Sequence, residues 1–179
     1  MVRTWLCLSA GNTLTMRSTV WAAPLVCSVP MTTMPISAAV TAAEMGILVM
    51  GTLHTNGAAA TVDRIVNAFP ADKQGHVRTM LSTSLRGVIS QQLIPRADKR
   101  GRVAALEILI NTPAVSNLIR QGKLDQLENA MQSGASHGMR VMDSAIQELL
   151  DKGVISGRAA YEKAINKPRF EQLKDMGVA

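Results

Sequence analysis

The alternation of apolar and polar positions becomes regular at residue 36 and predicts a helix, a strand and a second helix. In ISAAVTAAEMG, small and apolar residues recur at helical spacing, and Gly46 follows as a C-terminal cap. The run ILVMGT is apolar almost throughout, which is typical of a strand covered by helices on both faces of a parallel sheet. The stretch NGAAATVDRIVNAF predicts a helix capped by Thr55 or Asn56 and ended by Pro70.

Further along, the pattern predicts another helix, a hairpin and a helical region. Val77, Leu81 and Leu85 lie at helical spacing, and we expect this helix to end at Gly87. Two strand-like stretches, VISQQLIPR and RVAALEILI, flank the charged turn ADKRG, which favours a β-hairpin. From Pro113 onward the apolar spacing is helical, and glycines separate the predicted helices. This order predicts an α/β fold with a helical carboxy-terminal part.

The first 35 residues do not share these patterns. No Asp or Glu occurs before Glu44, and both tryptophans and both cysteines lie in this segment. A secretory signal peptide is one interpretation, but polar residues such as Ser9 and Asn12 interrupt its short apolar stretch. We prefer a disordered or artefactual extension, because the segment has neither a helical nor a strand period. The predicted regions are 1–35, 36–112 and 113–179.

Composition argues against several classes of function. The net charge of +6 is spread thinly, and the aromatic residues are two Trp, two Phe and one Tyr, too few for a base-stacking platform. We therefore expect no nucleic-acid partner. Cys7 and Cys27 have no cysteine or histidine at metal-ligand spacing, so no metal site is predicted. No apolar run reaches the roughly 18 residues that a membrane-spanning helix needs.

His54 occupies a position where open α/β sheets bind ligands. It follows the predicted strand at its carboxyl end, and an imidazole can donate or accept a hydrogen bond at each ring nitrogen. His54 is thus a candidate sensor of a phosphate group or of a neighbouring subunit. The alternative from residue spacing alone is that the His-Thr-Asn corner only caps the next helix.

Several long motifs from residue 36 onward resemble one family, the PilT-type twitching-motility ATPases. These are the type IV pilus retraction motors of the type II/IV secretion ATPase superfamily. The chain carries, in the family's order, TAAEMGILVMGTLHTNGAAATVDRIVNAFP, VRTMLSTSLRGVISQQLIPR, GRVAALEIL, NTPAVSNLIRQGK and HGMRVMDSAI. The resemblance implies that residues 36–112 are the carboxy-terminal part of a RecA-like P-loop NTPase motor domain. It implies that residues 113–179 are a helical carboxy-terminal subdomain.

The same resemblance implies an activity and partners. The family's rings are hexameric, hydrolyse ATP with Mg²⁺ and drive the disassembly of pilus fibres. The implied partners are further motor subunits and an inner-membrane pilus platform protein. The implied location is cytoplasmic, peripheral to the inner membrane at the pilus base.

Two stretches resemble motifs with known roles in the family. GTLHTN resembles the family's His box, which implies nucleotide sensing and coupling to the subunit interface by Thr52, His54, Thr55, Asn56 and Arg64. AVSNLIRQ resembles the late helical motif AIRNLIRE of retraction ATPases, with Ser116 and Gln121 replacing an arginine and a glutamate. The residues of that motif kept here are Asn117, Leu118, Ile119 and Arg120. The alternative for this second stretch is an amphipathic packing helix.

Other charged residues are weaker candidates. Arg86, Arg96 and Arg102 could meet a phosphate or a carboxylate across a subunit boundary, because a guanidinium offers bidentate donors. Glu44 and Glu107 are predicted to be structural, because neither has a visible substrate on which a general base could act.

The family's phosphate-binding elements are missing from the sequence. No G-x-x-x-x-G-K-[ST] occurs, although ATP binding in this class needs that loop. The Walker B block would fall on residues 28–35, which read SVPMTTMP and place its catalytic glutamate near Val29. We therefore expect little or no ATP binding by this chain alone. The abrupt break favours a frame change or a misplaced start codon, and the alternative is a truncated paralogue that regulates full-length motors.

Overall fold

A single mixed sheet forms the centre of the protein. The computed structural model describes residues 3–8, 26–28 and 36–173. Its strands are β1 (Arg3–Leu8), β2 (Val26–Ser28), β3 (Leu48–Leu53), β4 (Leu85–Pro95) and β5 (Arg102–Ile110), in the order β2-β3-β1-β4-β5. Strand β2 is parallel to β3, and β1 is antiparallel to both β3 and β4. Strands β3 and β4 therefore run in the same direction on either side of β1.

The helices lie between and after these strands, as the sequence predicts. They are α1 (Ile36–Glu44), α2 (Ala58–Asn67), α3 (Ala71–Ser84), α4 (Pro113–Gln121), α5 (Leu127–Ser133), α6 (Met142–Asp151), α7 (Gly157–Lys163) and α8 (Lys167–Phe170). Short 3-10 turns cover Leu124–Gln126, Ala135–His137 and Glu171–Leu173. Within the described ranges, no helix combines the length and the apolar composition needed to cross a bilayer.

Two short strands come from the first 35 residues, where the sequence shows no strand period. Strand β1 lies between β3 and β4 and pairs with both, and β2 pairs with β3. Backbone groups at the centre of a sheet need partners whatever the side chains are, so the side-chain pattern does not reveal this pairing. The rest of this segment lies outside the described residues, and the division at residues 35 and 112 stays a prediction.

The predicted elements are found with two corrections at their ends. Helix α1 buries Ala39, Val40 and Ala43, and Gly46 follows it at φ 87°, as a glycine cap requires. Helix α3 ends at Ser84 rather than at Gly87, because the backbone is already extended at residue 85. Gly87 lies instead in β4, where a Cβ atom would come within 3.0 Å of the carbonyl oxygen of Leu109.

The predicted hairpin is confirmed. Strands β4 and β5 pair antiparallel from Gly87 opposite Ile110 to Pro95 opposite Arg102. In the turn between them, the Arg96 guanidinium donates to the Asp98 carboxylate at 3.0, 3.1 and 3.2 Å, which forms a bidentate bond. This bond also lowers the pKa of the Asp98 carboxyl.

The helices build two hydrophobic cores along the sheet. The larger core joins α1, α2, α3, α4 and α5 to Val49, Leu53, Val88 and Leu109 of the strands. The smaller one joins α6, α7 and α8 to Ile94 and Ala105. Met50 on β3 is 43% exposed, so the expectation that this strand is covered on both faces is wrong at that position.

Candidate functional site

The corner between β3 and α2 holds the residues of the predicted His box. His54 directly follows β3 and is exposed. Arg64 lies on α2, and its Nη1 donates a 3.0 Å hydrogen bond to the His54 carbonyl oxygen. His54, Thr55, Asn56 and Arg64 line an open depression of about 670 Å³ together with Asp63. The fold therefore gathers four of the five predicted residues around one concave surface.

The remaining predicted residue lies behind this surface. Thr52 belongs to β3, is half-buried, and does not line the depression. Thr55 turns inward, and its hydroxyl lies 2.6 Å from the hydroxyl of Thr61, which is fully buried in α2. The Thr61 hydroxyl in turn donates to the carbonyl oxygen of Gly57 at 2.8 Å. These bonds fasten the corner to the first turn of α2.

The expected cap of α2 by Thr55 or Asn56 is wrong. The N-cap is Gly57, at φ 105°, and no side chain of the corner caps the helix. The first amide of the helix, on Ala58, donates instead to Oε1 of Glu107 at 2.6 Å. A Cβ atom on residue 57 would lie 3.2 Å from the same oxygen. Glycine is therefore required here both by its backbone conformation and by the approach of the carboxylate.

Glu107 joins two helices through one carboxylate. Its other oxygen, Oε2, accepts a hydrogen bond of 3.3 Å from the amide of Met142, the first residue of α6. A carboxylate at two helix N-termini is favoured by both helix dipoles. Burial raises the pKa of Glu107, the two amide bonds oppose that rise, and the nearby charges of Glu128 and Asp143 add to it.

These contacts agree with the structural role predicted for Glu107. The sequence carried one signal for it, a single charged residue within the apolar run AALEILI. Nothing in the local sequence identifies its partners, because Ala58 is 49 positions away and Met142 is 35. The sequence therefore indicates that Glu107 is structural, but not that it binds the N-termini of α2 and α6.

Within residues 3–8, 26–28 and 36–173, no group of residues forms a cradle for the phosphates of ATP. The helix N-terminus beside the corner is already filled by the Glu107 carboxylate, which would repel a phosphate. Among the described residues that line the depression, Arg64 is the one cation. The P-loop motif is also missing from the sequence.

Comparison with known proteins decides the family. The model of the "Type II/IV secretion system protein" family matches residues 33–165. The chain belongs to this family. Residues 36–173, including the His54 corner, α4 and most of the sheet, lie almost entirely within the family's matched region.

Two relatives are a twitching motility protein and a type IV pilus ATPase. The chain is 53% identical over 131 residues to a twitching motility protein of Neisseria gonorrhoeae, covering 73% of this chain and 35% of that protein. It is 54% identical over 129 residues to the type IV pilus retraction ATPase PilT of Pseudomonas aeruginosa, covering 72% and 37%. The chain thus spans about a third of the length of the curated relatives it matches.

A solved structure supports the same assignment. The pilus retraction motor PilT with bound ADP matches with a TM-score of 0.68 and 41% identity, over 76% of this chain and 38% of that one. The predicted fold class, α/β and the carboxy-terminal portion of a RecA-like motor domain, is confirmed by this likeness and by the order of strands and helices.

The arginines proposed for phosphate or subunit contacts are not gathered at the family's His box. Arg86 lies half-buried at the start of β4, and Arg102 is exposed at the start of β5. The antiparallel register places them at opposite ends of the hairpin. Neither lines the depression beside His54, and Arg96 is held by Asp98 in the hairpin turn.

The late helical motif forms α4 and divides between core and surface. Ile119 is fully buried and Leu118 half-buried, whereas Asn117 and Arg120 are exposed. The Asn117 side-chain oxygen accepts hydrogen bonds from Arg120 at 3.2 Å and from Gln121 at 3.1 Å. Ile119 and Leu118 thus agree with a packing role, and the polar residues form a separate patch.

Ser116 has a distinct role where the family's motif has an arginine. Its hydroxyl donates a 2.7 Å hydrogen bond to the carbonyl oxygen of Ser82, near the end of α3. The Asn111 side-chain amide donates to the same oxygen at 3.0 Å. The Ser116 hydroxyl therefore ties α4 to α3.

Proposed function

We propose that this chain is the nucleotide-sensing and coupling part of a type IV pilus retraction ATPase, which converts ATP hydrolysis into pilus disassembly and twitching motility. The observation that carries the proposal is the exposed His54 side chain at the end of β3, beside Arg64 on an open depression. The similarity to twitching motility proteins supports the pilus assignment.

In this proposal His54 reports the state of a nucleotide without binding the phosphates by itself. A neutral imidazole offers one donor and one acceptor. The Arg64 guanidinium holds the backbone of His54, and the hydroxyls of Thr55 and Thr61 fasten the corner to α2. The corner and α2 therefore move together, so that a displacement of the His54 ring also displaces α2.

The partners in this proposal are those of a pilus motor. ATP and Mg²⁺ are held mainly by a P-loop-bearing region that this chain does not supply. Further motor subunits complete a hexameric ring and contact the exposed face of the corner. A platform protein of the inner membrane receives the motion, so that the motor works on the cytoplasmic side of that membrane.

A graft tests the role of His54. Residues 36–173 replace the matched segment of the Neisseria gonorrhoeae twitching motility protein, and ATPase rate and twitching are measured in the graft. We expect the graft to be active and His54→Ala to lower the ATPase rate at least tenfold, a loss of about 1.4 kcal/mol of transition-state stabilisation. The melting temperature should not change, since His54 is exposed.

The matched control is His76→Ala, on the exposed surface of α3. We expect this variant to keep the rate and the twitching of the unmodified graft. An ATPase rate that is equal in the His54→Ala and His76→Ala grafts would remove the sensing role.

A further inference from the structure

The two hydrophobic cores meet along a polar boundary that crosses the hairpin. On the side of the sheet that carries both cores, Val88 and Leu109 belong to the larger core and Ile94 to the smaller one. Between them, on the same side, Ser90 lies directly opposite Glu107, and both residues are buried. Because side chains alternate along a strand, this polar pair separates the two cores at the surface of the sheet.

Glu107 forms a hydrogen-bonded link across this boundary. Its two carboxylate oxygens accept from the amides of Ala58 and Met142, at the N-termini of α2 and α6. Helix α2 packs in the larger core and α6 in the smaller one. Since α2 begins directly after the His54 corner, one carboxylate connects that corner to the first residue of α6.

Asp143 forms a second link, which leads to the last helices. It lies in the first turn of α6, beside Met142, and is 5% exposed. Its Oδ1 accepts a 2.9 Å hydrogen bond from the amide of Ile165, and its Oδ2 accepts one of 2.9 Å from the amide of Asn166, the N-cap of α8. We call Glu107 and Asp143 the carboxylate bridge. The bridge connects the start of α8, through the first turn of α6, to the His54 corner.

Unfilled space borders both carboxylates of the bridge. A cavity of about 180 Å³ lies between the start of α2 and the start of α6, and its lining includes Gly57, Glu107, Asp143 and Ile165. A close-packed interior resists small displacements, whereas side chains beside a cavity can shift without overlap. At its outer end the connection reaches the surface, since Ile165 is 58% exposed. A displacement of the loop before α8 can therefore reach the corner through hydrogen bonds.

We infer that Glu107 and Asp143 are positioning residues that couple the start of α8 to the His54 corner. A movement of residues 165 and 166 shifts Asp143 together with the first turn of α6, and Glu107 carries that shift to the first amide of α2. The consequence for ATP hydrolysis rests on the sensing role proposed for His54, whereas the coupling itself does not. Coupling between two sites is reciprocal, so a change at Glu107 must also reach residues 165 and 166.

A local structural role makes a different prediction. If Asp143 only fixes the loop before α8, its loss loosens residues 165 and 166 and leaves the amide of Ala58 unaffected. If its loss only lowers the stability of the whole protein, amides in the larger core exchange faster as well. The amide of Ile119 in α4, a residue fully buried in that core, serves as the reference for this second effect.

Amide hydrogen exchange, measured by NMR on all 179 residues, tests the coupling. Asp143→Asn removes the charge and leaves one acceptor oxygen. We expect the amide of Ala58 to exchange about tenfold faster in this variant, and that of Ile119 to change by less than about twofold. Glu107→Gln should in turn accelerate the amides of Ile165 and Asn166 by about tenfold, because the coupling acts in both directions.

The matched control is Asp151→Asn, in the last turn of the same helix. Asp151 is exposed and accepts a 2.8 Å hydrogen bond from Gln147, so this variant should leave exchange at Ala58, Ile165 and Asn166 unchanged. Equal Ala58 rates in Asp143→Asn and Asp151→Asn overturn the coupling, and so does an acceleration that the reference amide shares in full. If Asp143→Asn does not fold, the rates in Glu107→Gln decide by the same criteria.

ATPase rates in the graft connect the coupling to function. Asp143→Asn should lower the rate about threefold when His54 is present and by less than about 1.5-fold in the His54→Ala background, because both changes then act through one corner. Where His54→Ala itself lowers the rate, equal losses in the two backgrounds overturn coupling through the corner. Faster exchange at Ala58 together with a fully active His54→Ala graft would keep the coupling and remove the sensing role. The two proposals therefore fail separately.

Discussion

Neighbouring apolar residues on the two faces of the hairpin differ in burial. Leu109 and Ile110 are neighbours on β5, yet Leu109 is 0% and Ile110 36% exposed. Alternation along a strand sends them to opposite sides, and described helices form a core on one side only. The apolar pattern of a strand therefore shows which side chains gain free energy from burial. Which of them are buried depends on the elements that pack against each face.

The largest expected effect comes from truncating each member of this pair. Leu109→Ala leaves a cavity in the larger core and should lower the free energy of unfolding by about 2–5 kcal/mol. Ile110→Ala removes a side chain that is already in contact with water, so the loss should stay below about 1 kcal/mol. Urea denaturation of the two variants measures both values. Equal losses would mean that both faces are covered in solution.

Glu107 provides the next effect, because it is a charged residue on the buried face. Glu107→Ala leaves the amides of Ala58 and Met142 without their acceptor, and each unpaired buried amide costs about 1–3 kcal/mol. We expect a loss of stability at least as large as that caused by Ser116→Ala, which leaves the Asn111 amide as a donor to the Ser82 carbonyl. Chemical denaturation at neutral pH measures it.

The pH dependence of Glu107 sharpens this prediction. Because burial raises its pKa above the ordinary value of 4.5, the folded state holds this proton to a higher pH than the unfolded state does. The contribution of Glu107 to stability therefore falls as pH rises from 4.5 through the raised pKa and is constant above it. Glu107→Gln should lack this fall. A Gln variant with the same stability profile between pH 4 and 7 would show that another group titrates.

The smallest expected effect is that of ATP on the chain alone. The residues that the structure describes supply no phosphate cradle on either face of the sheet, and the N-terminus of α2 is occupied by Glu107. Millimolar ATP should leave the melting temperature of the chain unchanged, whereas ATP should raise the melting temperature of the graft, in which the Neisseria gonorrhoeae protein supplies the rest of the motor. A micromolar dissociation constant for the isolated chain, measured by calorimetry, would contradict the expectation.

Local signals were enough for most elements of this protein. The helix, strand and helix from residue 36, the hairpin and the helices after Pro113 were all predicted from apolar spacing and turn residues, and the structure confirms them. Predictions of element ends were less accurate. The sequence predicts Gly87 as the end of α3 because glycine commonly ends helices, but Gly87 lies in β4, where a Cβ atom would come within 3.0 Å of the Leu109 carbonyl oxygen.

In the candidate site, too, some features are predictable from the sequence and others are not. The position of His54 at the end of β3 follows from sequence order alone. Its neighbour Arg64 lies only ten positions further along the chain, within the same stretch of family resemblance. The support beneath the corner was not predictable, since Glu107 meets Ala58 and Met142 across 49 and 35 positions of chain. The roles assigned to Thr52, His54, Thr55, Asn56 and Arg64 stay predictions that the graft tests.

The sequence by itself determined the element types, their order and the family resemblance, because helical and strand periods and short motifs are local properties of the chain. Only the tertiary structure decided that one face of the sheet is covered and the other open, that residues 3–8 enter its centre, and that one carboxylate joins α2 to α6. These features depend on contacts between distant segments, and the free energy of burying a surface depends on what lies opposite it.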